Sequence, residues 1–394
     1  MVAAKSHDDA FQVSRWVDAL GGFVSRRQRL WIRLGNLETR VVSDELAGIP
    51  VERPIYVSGL ARSGSTILLE FLARHPDTVT HRYKDYPLVF TPFFWNRFLD
   101  RVPMRESAAA ERTHRDGIMV TPESPEAFEE VLWMAFFPSL HDPSVSAVLD
   151  DRTDNPAFEA FYRDHIRKLL WVRGGRRYLA KGNYNLTRLE YLLRLFPDAR
   201  FVIPVREPLW HIASLMKQHA LFCEGERRNP QALRHMQRVG HFEFGLDRRP
   251  VNVGDPAGVA EVAAAWDRGE EVEGWARYWS QIHDHVADRL AANPRLRDAT
   301  LVLRFEDLCR SPRETLGAVL DHCGLSDREG LVERMAASIR FPSYYEPRFS
   351  PEEQATIARW TAATAERFGY PRGASDPAPR GRHDSEVPDG IERS

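Results

Sequence analysis

Cysteine is scarce in this sequence. Its 394 residues contain three cysteines, Cys223, Cys309 and Cys323, an odd number without the spacing of a disulfide framework or a metal site. This favours a reducing compartment over one in which disulfides form. Metal-ligand spacings such as H-E-x-x-H are also absent, so we expect no bound metal.

Long apolar runs are missing as well. The first residues, MVAAKSHDDAFQVSRW, lack the apolar stretch of a signal peptide. No run reaches the roughly 18 apolar residues that would indicate a membrane-spanning helix. We therefore expect no membrane span and a cytoplasmic location.

A surplus of one charge sign is the third absence. The chain has 54 Lys and Arg against 56 Asp and Glu, and its formal net charge is -2. Partners such as nucleic acids or anionic membranes usually require a basic surplus, so neither is expected as the main partner. An anionic ligand in a local basic pocket stays compatible with this composition.

What the sequence does contain is an alternation of short β-rich runs and amphipathic helical segments. The predicted strands are PIYVSGL, TVTHRY, RYLAKG, ARFVIPV and TLVLRF. This alternation is typical of a mostly parallel sheet that is covered by helices on both faces. We predict an α/β fold with a P-loop NTPase-like central parallel sheet.

The predicted domain organisation is simple. Residues 1–46 are expected to be a helical lead-in, and residues 47–372 a single α/β domain. Two helical insertions are assigned within it, at about 86–175 and 220–295. The second insertion is polar and interrupted by Gly and Pro, which predicts an irregular path. The polar, Pro-rich tail 373–394 is predicted to be disordered.

The segment VSGLARSGSTILLEFL carries the first candidate site. It has the Gly-x4-Gly frame of a Walker A loop, from Gly59 to Gly64, but Ser65 stands where the Walker lysine would be. Without that lysine nucleoside triphosphate chemistry is disfavoured, whereas a glycine loop before a helix still provides an anion cradle. Arg62, with its fork of donors, suits an oxyanion.

A second strand-to-helix segment, FVIPVREPLWHIASL, carries another candidate pair. Arg206 stands at the predicted strand end, and Ser214 follows eight residues later in the next helix. Ligands of open α/β folds bind at the carboxyl ends of parallel strands, so both side chains could meet the same anion.

Together the two segments resemble the sulfotransferase family, over about residues 53–325. In that family a P-loop-like segment without the Walker lysine binds the 5′-phosphosulfate of 3′-phosphoadenosine 5′-phosphosulfate (PAPS). A strand-end arginine and a serine eight residues later bind the 3′-phosphate. The resemblance thus implies that Arg206 and Ser214 bind the 3′-phosphate, and that the phosphosulfate is bound by Arg62, Ser63, Gly64, Ser65 and Thr66.

A third segment, RYLAKGNYN, extends this resemblance. Many family members have a lysine at the end of the strand before the 3′-phosphate strand, which is Lys181 here. By resemblance this lysine holds the sulfuryl group and stabilises charge on the bridging oxygen. The cytosolic members place a histidine base two residues further on, where this chain has Asn183, so the base must lie elsewhere.

Other branches of the family use a carboxylate shortly after the second strand. In THRYKDYP we predict Asp85 as the general base, with His81 as the runner-up. Glu126 and Glu130, in SPEAFEEVLW, are weaker candidates that could equally form the solvated face of a helix.

The resemblance implies in-line transfer of a sulfuryl group from PAPS to an acceptor hydroxyl, or an amine, without a metal. The acceptor could be a small molecule, a carbohydrate or a peptide, and the sequence does not fix the oligomeric state. Two alternatives stay open. One is a P-loop phosphotransferase, which the missing lysine disfavours. The other is a non-catalytic module that binds adenosine 3′,5′-bisphosphate, which Lys181 disfavours.

Overall fold

A computed structural model describes residues 11–101, 110–114, 118–342 and 346–371 of the chain. The described residues form helices and strands in an alternating order, with 3₁₀ turns at Tyr83–Asp85 and Asn183–Thr187. The strands are β1 Ile55–Val57, β2 Thr78–Val79, β3 Ala110–Glu111, β4 Met119–Val120, β5 Arg177–Lys181, β6 Arg200–Val205 and β7 Thr300–Arg304.

The helices lie before, between and after the strands. They are α1 Arg15–Arg26, α2 Gln28–Val41, α3 Ser43–Leu46, α4 Ser65–Ala73, α5 Pro92–Leu99, α6 Glu129–Phe136, α7 Pro156–Arg173, α8 Leu189–Leu195, α9 Pro208–Arg228, α10 Pro230–Val239, α11 Pro256–Asp267, α12 Glu271–Ala292, α13 Pro294–Asp298, α14 Phe305–Arg310, α15 Pro312–Cys323, α16 Leu331–Ala336 and α17 Pro351–Arg367.

Five strands form the central sheet, in the order β2-β5-β1-β6-β7, and every pair in it is parallel. The predicted fold class, a central parallel sheet flanked by helices, is confirmed. Strands β3 and β4 form a separate antiparallel pair inside the first insertion, which the sequence did not predict.

The sheet is apolar on both faces because helices cover both. On β1, Ile55 and Val57 pack into one apolar cluster with α4 and α15, whereas Tyr56 between them packs into the larger cluster on the other face. Successive side chains of a strand point to opposite faces, so a strand buried on both sides needs a continuous apolar run.

The irregular path predicted for residues 220–295 is wrong. This stretch contains the end of α9, the helices α10 to α12 and the first residues of α13. Its prolines mark helix starts, since Pro230 and Pro256 each occupy a first helical position, where a missing N–H costs nothing. Gly240 ends α10 in the left-handed conformation, with a φ of 77°.

Three helices, α1 to α3, precede the sheet within the predicted lead-in, while residues 1–10 and the tail lie outside the described residues. The long C-terminal helix α17, which packs along α12, was not predicted. None of the described helices is long and apolar enough to cross a membrane.

Candidate active site

Three adjacent strands bring the candidate residues to one edge of the sheet. Strand β1 lies between β5 and β6, so the loop after Val57 stands between Lys181 and Arg206. Backbone hydrogen bonds continue past the strand ends: Gly182 N–H donates to the Val57 carbonyl at 3.1 Å, and Ser58 N–H to the Val202 carbonyl at 3.0 Å. This carboxyl edge is where open α/β sheets bind ligands.

The loop after β1 needs both of its glycines. A Cβ on Gly59 would lie 2.6 Å from Ser63 Oγ, and one on Gly64 would lie 2.7 Å from the Phe305 ring. Gly64 also has a φ of 102°. Arg62 adopts a φ of 72°, which is uncommon for a residue with a side chain and turns the loop sharply before α4.

The two motifs that the sequence pairs only by resemblance touch each other. Arg62 Nε donates to Ser214 Oγ at 3.4 Å, and Arg206 Nη1 donates to the Arg62 carbonyl at 3.3 Å. The Arg206 guanidinium also lies over the Phe305 ring, 4.6 Å from its centroid. The loop, the end of β6 and α9 therefore form one cationic site.

Two hydroxyls in this loop could each form a hydrogen bond with a bound ligand. Ser58 Oγ and Ser63 Oγ are buried and have no hydrogen-bond partner among the described residues. Next to them the first turn of α4 presents backbone N–H groups that no residue within the helix can accept. Such a cradle fits a phosphate or sulfate group.

A cavity of about 1080 Å³ opens from this site. Its wall includes Arg62, Ser65, Thr66 and Lys181. The wall also includes apolar and aromatic side chains of α1, α5 and α10, namely Trp16, Val17, Leu20, Trp95, Phe98, Leu99, Met236 and Val239.

Lys181 ends β5 on the wall of the cavity and is half-buried. Burial lowers the pKa of its ammonium, while the carboxylates of Glu126 and Glu243 act in the opposite direction. Arg112 and Arg62 lower this pKa further by charge repulsion. All three cations line the cavity, and an anionic ligand bound there would neutralise part of their charge.

Asp85 and His81, predicted as base and runner-up, are not among the described residues that line the cavity. Asp85 is 3 % exposed and accepts from Arg173 Nη2 at 2.5 Å and from the Arg82 N–H at 2.8 Å. His81, 2 % exposed, lies between Asp85 and His165 at 3.3 and 3.1 Å. This placement does not favour the base role, because both side chains are buried in contacts with other residues and neither lines the cavity.

The weaker candidates differ from each other. Glu130 lines the cavity, but both of its oxygens accept from Arg188 at 2.8 Å, and His141 contacts it at 2.7 Å. Although burial acts to raise it, these charges hold the pKa of Glu130 at about 2, which makes it a poor base. Glu126 lines the cavity and acts electrostatically on Lys181.

Comparison with known proteins identifies relatives of this chain. The model described as "Sulfotransferase family" matches residues 54–248. The chain is 22% identical over 344 residues to the omega-hydroxy-beta-dihydromenaquinone-9 sulfotransferase of Mycobacterium bovis, a match that spans 82% of this chain and 77% of that protein. The Mycobacterium tuberculosis protein of the same name matches to the same extent.

This chain belongs to the sulfotransferase family. Among solved structures it is similar to sulfotransferase STF9 from Mycobacterium avium, with 16% identity, a TM-score of 0.48, and coverage of 86% of this chain and 83% of that one. Sulfotransferase STF1 from Mycobacterium tuberculosis matches with 16% identity, a TM-score of 0.46, and coverage of 92% and 89%.

The sulfotransferase cavity contains polar residues that the sequence reasoning missed. His241 and Glu243 lie on its wall, with His241 Nδ1 3.3 Å from Glu243 Oε2. Glu243 also accepts from Asn183 Nδ2 at 2.7 Å. Arg112, another wall residue, donates to Thr66 Oγ1 at 3.4 Å. They come from the two insertions, and no motif in the sequence marks them.

We expect Asp85→Asn to destabilise this sulfotransferase by about 3–5 kcal/mol, because it leaves the buried Arg173 without its counter-charge. Hydrogen bonds and the charges of His81 and Arg173 overcome the effect of burial and lower the pKa of Asp85 from 3.8 to about 2. The ion pair therefore contributes stability above about pH 4 that is lost as pH falls through 2.

Urea unfolding between pH 2 and 6 measures this effect. The variant should be less stable above pH 4 and should lose part of the acid dependence. A variant that unfolds like wild type but has lost activity would instead return Asp85 to the reaction.

Proposed function

We propose that this protein transfers a sulfuryl group from PAPS to an acceptor hydroxyl in the cavity. The observation that carries the proposal is the direct contact between the two anion-binding motifs, Arg62 with Ser214 and Arg206 with the Arg62 carbonyl. A ligand with two anionic groups on one nucleoside would be held at both. PAPS has this form, since its 5′-phosphosulfate and 3′-phosphate are joined by one ribose.

In this proposal the loop from Arg62 to Thr66 binds the phosphosulfate with its backbone amides and hydroxyls. Arg206 and Ser214 bind the 3′-phosphate. The orphaned Ser63 hydroxyl, which is buried in the loop, supports the fit, because an anionic oxygen would satisfy it. The Arg206 fork can form two charge-assisted hydrogen bonds with one phosphate.

The reaction exchanges one sulfur–oxygen bond for another. The acceptor oxygen forms a bond to sulfur as the bond from sulfur to the bridging phosphate oxygen breaks, and adenosine 3′,5′-bisphosphate leaves. Lys181 would stabilise the charge that develops on the bridging oxygen. Arg62 and Arg112, which act on the same lysine, would add to the positive field. The proposal includes no metal ion.

The acceptor must lose a proton during this exchange, and we assign His241 as the base in place of Asp85. His241 lines the cavity, and its ring stacks on Phe222 with centroids 5.1 Å apart and an interplanar angle of 6°. Glu243 stands 3.3 Å from its Nδ1 and is itself held by Asn183. A carboxylate at one ring nitrogen stabilises the imidazolium that forms when the other takes a proton.

We expect the protein to bind adenosine 3′,5′-bisphosphate at least tenfold more tightly than AMP, because each charge-assisted contact contributes about 1.5–3 kcal/mol. In calorimetry, Arg206→Ala should weaken binding of the bisphosphate by a similar factor while leaving AMP binding nearly unchanged. Arg200→Ala is the matched control, since Arg200 begins the same strand at the opposite edge of the sheet.

Equal affinity of wild type for AMP and the bisphosphate would remove the 3′-phosphate site from the proposal. Loss of binding in Arg200→Ala would indicate that a change anywhere in β6 disturbs the sheet. Labelled PAPS with an acceptor screen then tests the transfer itself.

A further inference from the structure

Exposed apolar side chains are concentrated on three helices in the part of the chain that the structure describes. Ten large hydrophobic side chains are exposed among the described residues, and seven of them lie on α1, α2 and α5. We call this the α1–α2–α5 face, and its exposed apolar residues are Trp16, Phe23, Leu30, Leu37, Val41, Phe94 and Phe98.

The three helices of this face are joined by contacts. The rings of Phe23 on α1 and Trp31 on α2 lie 6.2 Å apart. Glu38 of α2 accepts the Phe94 N–H at the start of α5 at 2.6 Å and pairs with the buried Lys168 of α7 at 2.8 Å. These contacts hold together the helices that carry the exposed apolar side chains.

The pattern on α2 is that of an interfacial helix. Leu30, Leu37 and Val41 follow a spacing of seven and four residues and are 42%, 46% and 59% exposed. Arg29 and Arg33 are exposed at neighbouring positions, so an apolar stripe runs beside a cationic one. A helix with this arrangement lies in the plane of a membrane surface.

The α1–α2–α5 face is also locally basic. The net charge of -2 for the whole chain hides a local excess, because α1, Arg27 and α2 together have six arginines, all exposed. Their two acidic residues are occupied: Asp18 pairs with Arg238 at 2.6 Å, and Glu38 is buried with Lys168. The face thus complements a negatively charged surface, contrary to what the net charge alone predicts.

The cavity opens at this face. Trp16 and Phe98 line the cavity and are also 57% and 54% exposed, so they form part of its mouth. The wall of the same cavity includes the half-buried Lys181 and further apolar side chains of α1, α5 and α10. An acceptor that enters from the mouth and reacts near Lys181 would place its chain against these apolar side chains.

We infer that the α1–α2–α5 face docks on an anionic lipid bilayer and that the acceptor is an alcohol with a long apolar chain, taken up from that bilayer. The assignment of the acceptor rests on the proposed function, whereas the docking does not. Bilayer docking favours such an acceptor because its chain passes from lipid to an apolar wall without crossing water.

Vesicle sedimentation tests the docking. The protein should bind vesicles of phosphatidylcholine with phosphatidylglycerol at least tenfold more tightly than vesicles of phosphatidylcholine alone, with binding weakened by salt. Two variants should each lower that binding roughly tenfold or more: Leu30→Ser/Leu37→Ser/Val41→Ser and Arg29→Gln/Arg33→Gln/Arg40→Gln.

The matched control is Val145→Ser/Leu246→Ser, which removes two side chains of similar exposure, 42% and 45%, outside this face. It should bind vesicles like wild type. Light scattering in the same buffer examines the competing occupant: a dimer that the Leu30/Leu37/Val41 variant converts to monomer, without vesicle binding by wild type, would overturn the inference.

A chain-length series of primary alcohols tests the acceptor class. With PAPS, kcat/KM should rise severalfold for each added methylene until the cavity is filled. A flat series would overturn the lipid acceptor. Calorimetry with adenosine 3′,5′-bisphosphate on the same preparation separates the two proposals. Absence of nucleotide binding would contradict the proposed function, whereas a protein that binds the nucleotide but not the vesicles would contradict the docking alone.

Discussion

Lys181→Ala is expected to lower kcat by roughly 10²–10³, the range measured when a single oxyanion donor is removed. The ammonium meets charge that grows on the bridging oxygen only as the sulfur–oxygen bond breaks. Its contribution is therefore larger in the transition state than in the bound substrate. Affinity for adenosine 3′,5′-bisphosphate, measured by calorimetry, should change far less than kcat.

Lys84→Ala is the matched control for this variant. Lys84 also lines the cavity, but its ammonium is paired with Glu123 at 2.6 Å. Its removal should change kcat by a small factor. If Lys181→Ala weakens nucleotide binding as strongly as it lowers kcat, the lysine contributes to ground-state binding and not selectively to the transition state.

The fold was accessible from the sequence because its strong signals are local. The strands β1, β5 and β6 are apolar runs that end at turn residues, and each is followed by a helical or 3₁₀ segment. Local periodicity reports such elements directly, and alternation then implies a parallel sheet. The loop after β1 could be predicted equally well, because a glycine-rich loop before a helix indicates backbone N–H groups that bind an anion.

The base that we propose could not be predicted from the sequence in the same way. Asp85 follows the second strand, where the resemblance places a carboxylate base. In the fold its carboxylate accepts from Arg173, 88 positions away in the chain, and the sequence does not reveal this contact. His241 follows α10 in the second insertion, about 60 positions from Lys181 in the chain, yet both side chains line the same cavity. Contacts between residues far apart in the chain leave no periodic signal.

Asn183 illustrates the same limit. In the sequence, Asn183 is notable only because it stands where the cytosolic members of the family have a histidine, two residues after the lysine. In the fold its side chain donates to Glu243 at 2.7 Å, and Glu243 lies beside His241. A histidine is therefore available near that position, supplied by a different part of the chain.

The role that we propose for His241 predicts the second large effect. His241→Gln keeps a polar side chain but removes the ring nitrogen that would take the proton, so kcat should fall by about 10²–10⁴ while nucleotide affinity stays near wild type. Glu243→Gln should lower kcat less than His241→Gln does, because the carboxylate lies beside the ring but does not itself take the proton.

Glu126→Gln provides the decisive comparison, because Glu126 is the other carboxylate that lines the cavity and acts on Lys181. We expect it to retain activity within about tenfold of wild type, since a His241 base would not depend on it. An inactive Glu126→Gln that still folds and binds adenosine 3′,5′-bisphosphate, beside an active His241→Gln, would transfer the role of base to Glu126. Stopped-flow single-turnover measurements should be used for all three variants, because they separate the chemical step from product release.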